Sequence, residues 1–191
     1  MGATSAAALP AWCSRLIAEF EAADRRASQL ALRLSAAQLN WQPAPGVWSV
    51  GQCLEHLCAA SEAYLPAIRE SLRGKPVASV PEIQLGWFSR WFLRSYIAPG
   101  TGTKRAQAPR KIAPGARVEP VILDRFLRNN QEACEVVRQA GSSDVNQIRF
   151  KNPFVPWIRF TVGTGLEILS QHEARHLLQA ERVIRNSDFP G

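Results

Sequence analysis

The sequence predicts an all-α protein, a four-helix bundle with one long crossover insert between the second and third long helices. Three observations carry that expectation. Four long segments place apolar residues at three- and four-residue steps, the period of a helix with one buried face. Capping and stop signals bracket those segments. Few stretches read as strands, so helices must supply the core.

The first helix is expected over residues 11 to 34. Trp12, Leu16, Phe20, Ala23, Ala27, Leu30 and Leu34 form its stripe, and Pro10 stands where a first-turn proline is tolerated. A second local start, Ser35 to Leu39, leads into Trp41-Gln-Pro-Ala-Pro-Gly46, whose two prolines and glycine make a tight connection. Ser49-Val-Gly-Gln52 reads as a capping box. The Ser hydroxyl accepts from the N–H of the third residue, and Gln52 reaches back. Trp48 just before it is expected to pack on the first turn as a staple. This second long helix runs through Leu54, Leu57, Tyr64 and Leu65, with Pro66 as a place for a kink and Gly74 as its stop.

Residues 75 to 118 form the insert. Within it, Leu85 to Ile97 is rich in large apolar groups (Trp87, Phe88, Trp91, Phe92, Leu93, Tyr96) and reads as a short helix. Pro99 to Gly115 holds three prolines and three glycines and reads as a long loop. Its Gly-Thr-Gly-Thr-Lys104 run misses the phosphate-loop spacing and follows no strand. The third long helix is expected over 119 to 140, with Pro120 in its first turn and Gly141 as its stop. Residues 142 to 159 form a connection with Pro153 and Pro156. The last helix spans about 162 to 186, with Val162, Leu166, Leu169, His172, His176, Gln179 and Val183 on one stripe.

A length of 191 residues fits one domain with a sizeable core. No apolar run approaches the ~20 residues of a membrane span. The N-terminus shows neither a secretory nor a myristoylation pattern, so a soluble, cytoplasmic protein is expected. Cys13, Cys53, Cys58 and Cys134 form no C-x-x-C pair and read as reduced, partly buried thiols. The net charge of +7 has one location: residues 86 to 128 hold nine basic residues against Glu119 and Asp124. With its aromatics, that segment admits a reading as a binding surface for nucleic acid or an anionic membrane. The favoured account packs the aromatics on the bundle and leaves the charges in water, so nucleic acid is not the expected partner.

The chemistry concentrates in the histidines, of which there are three. His172 and His176 are four apart in a predicted helix, which puts both imidazoles on one face, a turn apart. Two ring nitrogens can then converge on one ion at about 2.0–2.1 Å. Such a pair also serves as a half-buried polar stripe. The third histidine, His56, lies inside the capped helix and tips the reading toward a divalent metal. Three protein ligands leave coordination positions open, the pattern of catalytic sites. Imidazole suits zinc, nickel, iron or copper alike.

The pair sits inside His172-Glu-Ala-Arg-His176, which matches H-E-x-x-H. The extended peptidase form wants a histidine at position 182, which is Arg182, and only fifteen residues follow His176. A peptidase is therefore not expected. Glu173 stands as a candidate catalytic base, with an exposed helical glutamate as the competing account.

Two stretches resemble the DinB/YfiT-like superfamily of metal-binding four-helix bundles: Asn40-Trp-Gln-Pro-Ala-Pro-Gly-Val-Trp-Ser-Val-Gly-Gln-Cys-Leu-Glu-His56-Leu and His172-Glu-Ala-Arg-His-Leu-Leu-Gln179. They match that family's Trp-Ser-to-His helix start and its closing H-x-x-x-H-x-x-Q helix. The resemblance implies that His56, His172 and His176 are a metal triad. It also implies a choice of chemistries: S-transfer with a low-molecular-weight thiol, thiol-dependent isomerisation, or hydrolysis. A metal-dependent transferase or hydrolase acting on a small-molecule substrate is thus the leading expectation, with a homodimer left open. Arg90, Arg94, Lys104 and Arg175 are candidates to hold a substrate carboxylate. Gln52 and Gln179 are candidates to orient the imidazoles. The loop from Pro99 to Gly115 and the aromatic segment before it are expected to cover the metal mouth without being needed for metal binding, with a solvated surface loop as the competing account.

Overall fold

The computed structural model describes residues 9–100 and 108–191. Its helices are α1 (Ala11–Ala31), α2 (Ala36–Asn40), α3 (Val50–Leu72), α4 (Trp87–Phe92), α5 (Ile122–Ala140) and α6 (Val162–Ile184). α4 runs into a π-type turn at Leu93–Ile97, and one 3₁₀ turn covers Arg110–Ile112. Two short strands, β1 (Arg149–Lys151) and β2 (Arg159–Thr161), precede α6.

The expected four-helix bundle is present. α3 packs against α5 and α6, and α1 packs against the same two, so α1 lies across the bundle from α3. The insert joins α3 to α5. Inside are two apolar groups. One centres on Phe20, Leu65, Ile68, Val137 and Leu166, the other on Leu54, Leu57, Phe126 and Leu177. Ion pairs bridge neighbours outside the core: Arg26–Glu181 from α1 to α6 at 2.7 Å, and Arg69–Glu132 from α3 to α5 at 2.7 Å.

The local signals act as their chemistry requires. Ser49 Oγ accepts from Gln52 N at 3.1 Å while Gln52 Oε1 accepts from Ser49 N at 3.0 Å, so α3 starts on a closed capping box. Ser35 and Gln38 build the same device for α2. That device shortens α1, which ends at Ala31 instead of residue 34. An N-cap must leave helical geometry, and Ser35 sits at ψ 162°. α5 begins at Ile122 instead of 119, because the residue before Pro120 is disfavoured in helical geometry and Glu119–Val121 form a turn. α3 continues through Pro66 to Leu72, and Gly74 beyond it adopts φ +66°, the left-handed geometry that favours glycine after a helix.

The hairpin is a departure from the expected plain connection. Phe150 pairs with Phe160, and both are buried against the bundle while their neighbours face outward. Asn152 shapes the loop between the strands. Its Oδ1 accepts from Phe154 N and Val155 N at 2.8 and 2.9 Å, and its Nδ2 donates to Tyr64 Oη at 2.8 Å. The four cysteines are buried and free, as expected of reduced thiols. No helix among the described residues is long and apolar enough to cross a membrane.

Candidate metal centre

α3 and α6 are neighbours, and their facing stripes bring the three histidines together. Ring centroids of His56, His172 and His176 form a triangle with sides of 4.9, 4.7 and 4.6 Å. One ligand-capable atom from each lies within 4.8 Å of the others. His56 Nε2 and His172 Nε2 are 3.1 Å apart.

The outer nitrogens explain why the inner ones face one another. His56 Nδ1 lies 2.8 Å from the carbonyl of Ile112, an acceptor only, so that nitrogen carries the proton and Nε2 presents a lone pair. His176 Nδ1 lies 3.0 Å from Gln179 Oε1 and follows the same logic. Trp48 packs on two of the three rings and also lines the cavity beside them. Its indole stacks on His176 at 5.5 Å and 29°, and lies 4.8 Å from the His56 ring.

All three imidazoles are held neutral. Burial pushes the His172 pKa well below its ordinary value, and the neighbouring His176, His56 and Arg175 add to the effect. Burial, then His56 and Arg175, lower His176 to about 3 against the opposing bond to Gln179. Burial lowers His56 as well, opposed by the Ile112 carbonyl and aided by Arg175. Neutral imidazoles are the form that binds metal. Two nitrogens on one tetrahedral ion at about 2.0–2.1 Å would stand roughly 3.3 Å apart, close to the spacing of His56 and His172. The donor set therefore fits a divalent transition ion.

A cavity of about 270 Å³ opens in front of the triad. Tyr64 from α3 and Ile168, Leu169 and Arg175 from α6 line its floor. Phe92, Tyr96 and Ile97 supply one wall, Phe154 and Val155 of the hairpin loop another, and Ala108, Pro109 and Ile112 a third.

The sequence model of the DinB superfamily matches residues 19–180. The chain belongs to the DinB superfamily. Among solved structures, this DinB chain is similar to YfiT from Bacillus subtilis, described as a probable metal-dependent hydrolase with an unusual four-helix bundle topology. The two are 13% identical, with a TM-score of 0.60 over 96% of this chain and 92% of that one, a likeness of fold. No curated protein matches the chain.

Other residues singled out in the sequence fall differently. Glu173 is not on the cavity wall. It is buried between α6 and α5, where its Oε2 accepts from Asn130 Nδ2 at 3.2 Å. Burial and the nearby Asp24 push its carboxyl well above the carboxylate range, against the bond from Asn130. Gln179 meets a histidine, but Gln52 does not. Gln52 serves the α3 cap, accepts from Gln42 and donates to the Gly115 carbonyl at 2.8 Å. Arg90 and Arg94 are exposed, and Arg90 Nη1 donates to Leu85 O. Lys104, with the glycine-threonine run from Thr101, lies outside the described residues. Arg175 is on the cavity wall.

Sequence reasoning missed two parts of the site. Trp48 stacks on His176 and lies tilted against His56, and is not only a staple. The insert also reaches the triad itself, because its Ile112 carbonyl is the partner of His56; residues 101–107 of its loop lie outside the described residues. That carbonyl is held by a chain of contacts: Glu55 Oε2 accepts from Gly115 N at 2.6 Å, and Asn40 exchanges two hydrogen bonds with the Val118 backbone at 2.7 and 2.8 Å.

Proposed function

We propose that His56, His172 and His176 hold one divalent transition metal (zinc, nickel or iron), and that the protein is a metal-dependent enzyme acting on a small molecule in the adjoining cavity. The observation that carries this reading is the pair of facing nitrogens, His56 Nε2 and His172 Nε2 at 3.1 Å, with the opposite nitrogen of His56 anchored on Ile112. An ion held there would supply Lewis acidity, activating a water or a low-molecular-weight thiol near neutral pH.

The residues around it divide the remaining work. Ile112 and Gln179 fix the tautomers of His56 and His176, Trp48 packs against those two rings, and the aromatic and aliphatic walls exclude bulk water. Glu173 is given no proton-transfer role, since its carboxyl is engaged with Asn130. Hydrolysis and thiol transfer both suit the open side. The description of YfiT favours hydrolysis. Among the described residues no carboxylate lines the cavity, which favours a thiol, since a thiol needs less help to ionise.

Elemental analysis of untagged protein is expected to find about one transition metal per chain, and His172→Ala to lose most of it. Full occupancy in that variant would remove the triad from consideration. A screen of ester and amide substrates, with and without thiol cosubstrates, then separates the two chemistries.

A further inference from the structure

Arg175 is in an unusual position for a buried cation. Four arginines are half-buried among the described residues. Arg26, Arg69 and Arg125 each meet a glutamate, respectively Glu181, Glu132 and Glu62. Arg175 meets only the backbone carbonyl of Tyr96, to which Nη1 donates at 3.0 Å. No carboxylate among the described residues forms an ion pair with it, and residues 1–8 and 101–107 contain no Asp or Glu.

The cavity shares this imbalance. Its lining includes Arg175 and three histidines, and no acidic side chain. The guanidinium is close enough for its charge to act on all three imidazoles. An unpaired charge removed from water is costly, and a guanidinium presents five donors in a fork that fits a carboxylate. One of those donors is spent on Tyr96, and that bond fixes the side chain at the cavity wall. A divalent ion on the neutral triad would add positive charge with no protein anion to balance it.

We propose that this cavity takes a small monocarboxylate with an apolar, preferably aromatic, body, its carboxylate anchored on Arg175. This inference rests on the reading of the cavity as the place where a small molecule is bound for reaction. The walls supply the rest of the match. Phe92, Tyr96 and Phe154 offer aromatic faces, and Tyr64 Oη, which accepts from Asn152, keeps its own hydrogen to donate. A volume of about 270 Å³ limits the occupant to a few ring-sized groups, below the ~300–1,000 Å³ of most ligand pockets. The anchor sets orientation: a carboxylate on Arg175 leaves the far end of the molecule to approach the histidines or the hairpin loop.

The test compares 3-phenylpropionate with its uncharged isostere 3-phenylpropionamide, by calorimetry, on the full chain after chelation and again after zinc loading. In the chelated wild type the carboxylate should bind roughly 10- to 100-fold tighter than the amide, the range of a charge-assisted bidentate pair. R175Q should abolish that preference, and R175K should retain part of it while keeping the helical circular dichroism. Equal binding of the two probes, binding of neither, or a preference that survives in R175Q would overturn the proposal. Failure of the metal reading shows separately, as sub-stoichiometric zinc uptake in a protein whose chelated form still prefers the carboxylate.

Discussion

Gln179→Leu should weaken zinc binding about tenfold without unfolding the protein. Two of the three imidazoles have a protein partner on the nitrogen that faces away from the triad: His56 on the Ile112 carbonyl and His176 on Gln179 Oε1 at 3.0 Å. Leucine matches the amide in size and accepts nothing, so the His176 Nδ1–H loses its acceptor and the ring loses what holds its tautomer. Removing such outer partners costs about 10- to 100-fold in metal affinity. The lower end applies, because Gln179 is only half-buried and water can replace part of the bond. Tenfold corresponds to about 1.4 kcal/mol. Gln179→Glu keeps the acceptor and makes it anionic, so it should bind zinc at least as tightly as wild type. Competition with a chromophoric chelator at fixed pH measures both. If the leucine variant binds zinc within twofold of wild type, or the glutamate variant weakens as much as leucine does, Gln179 does not orient His176 through this bond.

Three further outcomes are expected. Asp24 has a carboxyl raised to about 6, by burial first and Glu21 second, against the bond from Asn130 and the charge of Arg25. The folded state thus binds a proton that the unfolded chain releases at ordinary pH, so this group's contribution to stability is greatest below about pH 4 and is lost as pH rises to about 6. Asp24→Asn, which keeps an acceptor for Asn130, should raise the denaturant midpoint at pH 7.5 and leave it nearly unchanged at pH 4; equal gains at both would refute this. Gly165→Ala should lower Tm by about 2–8 °C. A Cβ there would stand 2.6 Å from Phe150 Cε1, and overpacking of about 1–3 kcal/mol exceeds the helix-propensity gain of up to ~1 kcal/mol. Chelation should leave the helical circular dichroism at 25 °C intact, because the two apolar clusters draw on all four long helices and bury a core without the ion; cooperative loss of helix would recast the triad as a folding site.

What was legible in the sequence follows from how residue spacing maps onto geometry. Long amphipathic stripes and the Ser49 and Ser35 boxes report local rules, so α1, α3, α5 and α6 were readable to within a few residues. The histidines were readable for the same reason: four-residue spacing fixes one face of α6, and a bundle leaves few helices for that face to meet. The hairpin was not, because Arg149–Lys151 and Arg159–Thr161 are three residues each, too short for alternation to stand out. The Ile112 carbonyl was not, because every residue carries a carbonyl and only the tertiary course of the insert selects this one. Glu173 shows how far one residue of spacing moves a side chain on a helix. A helix turns about 100° per residue, so a side chain one position after His172 projects well away from it and here meets α5. Arg175, three positions after His172, returns to the cavity side. The same helical period that makes H-x-x-x-H a candidate ligand pair therefore assigns Glu173 to the core and Arg175 to the site. What spacing cannot show is that no acidic side chain among the described residues lines the cavity beside that arginine.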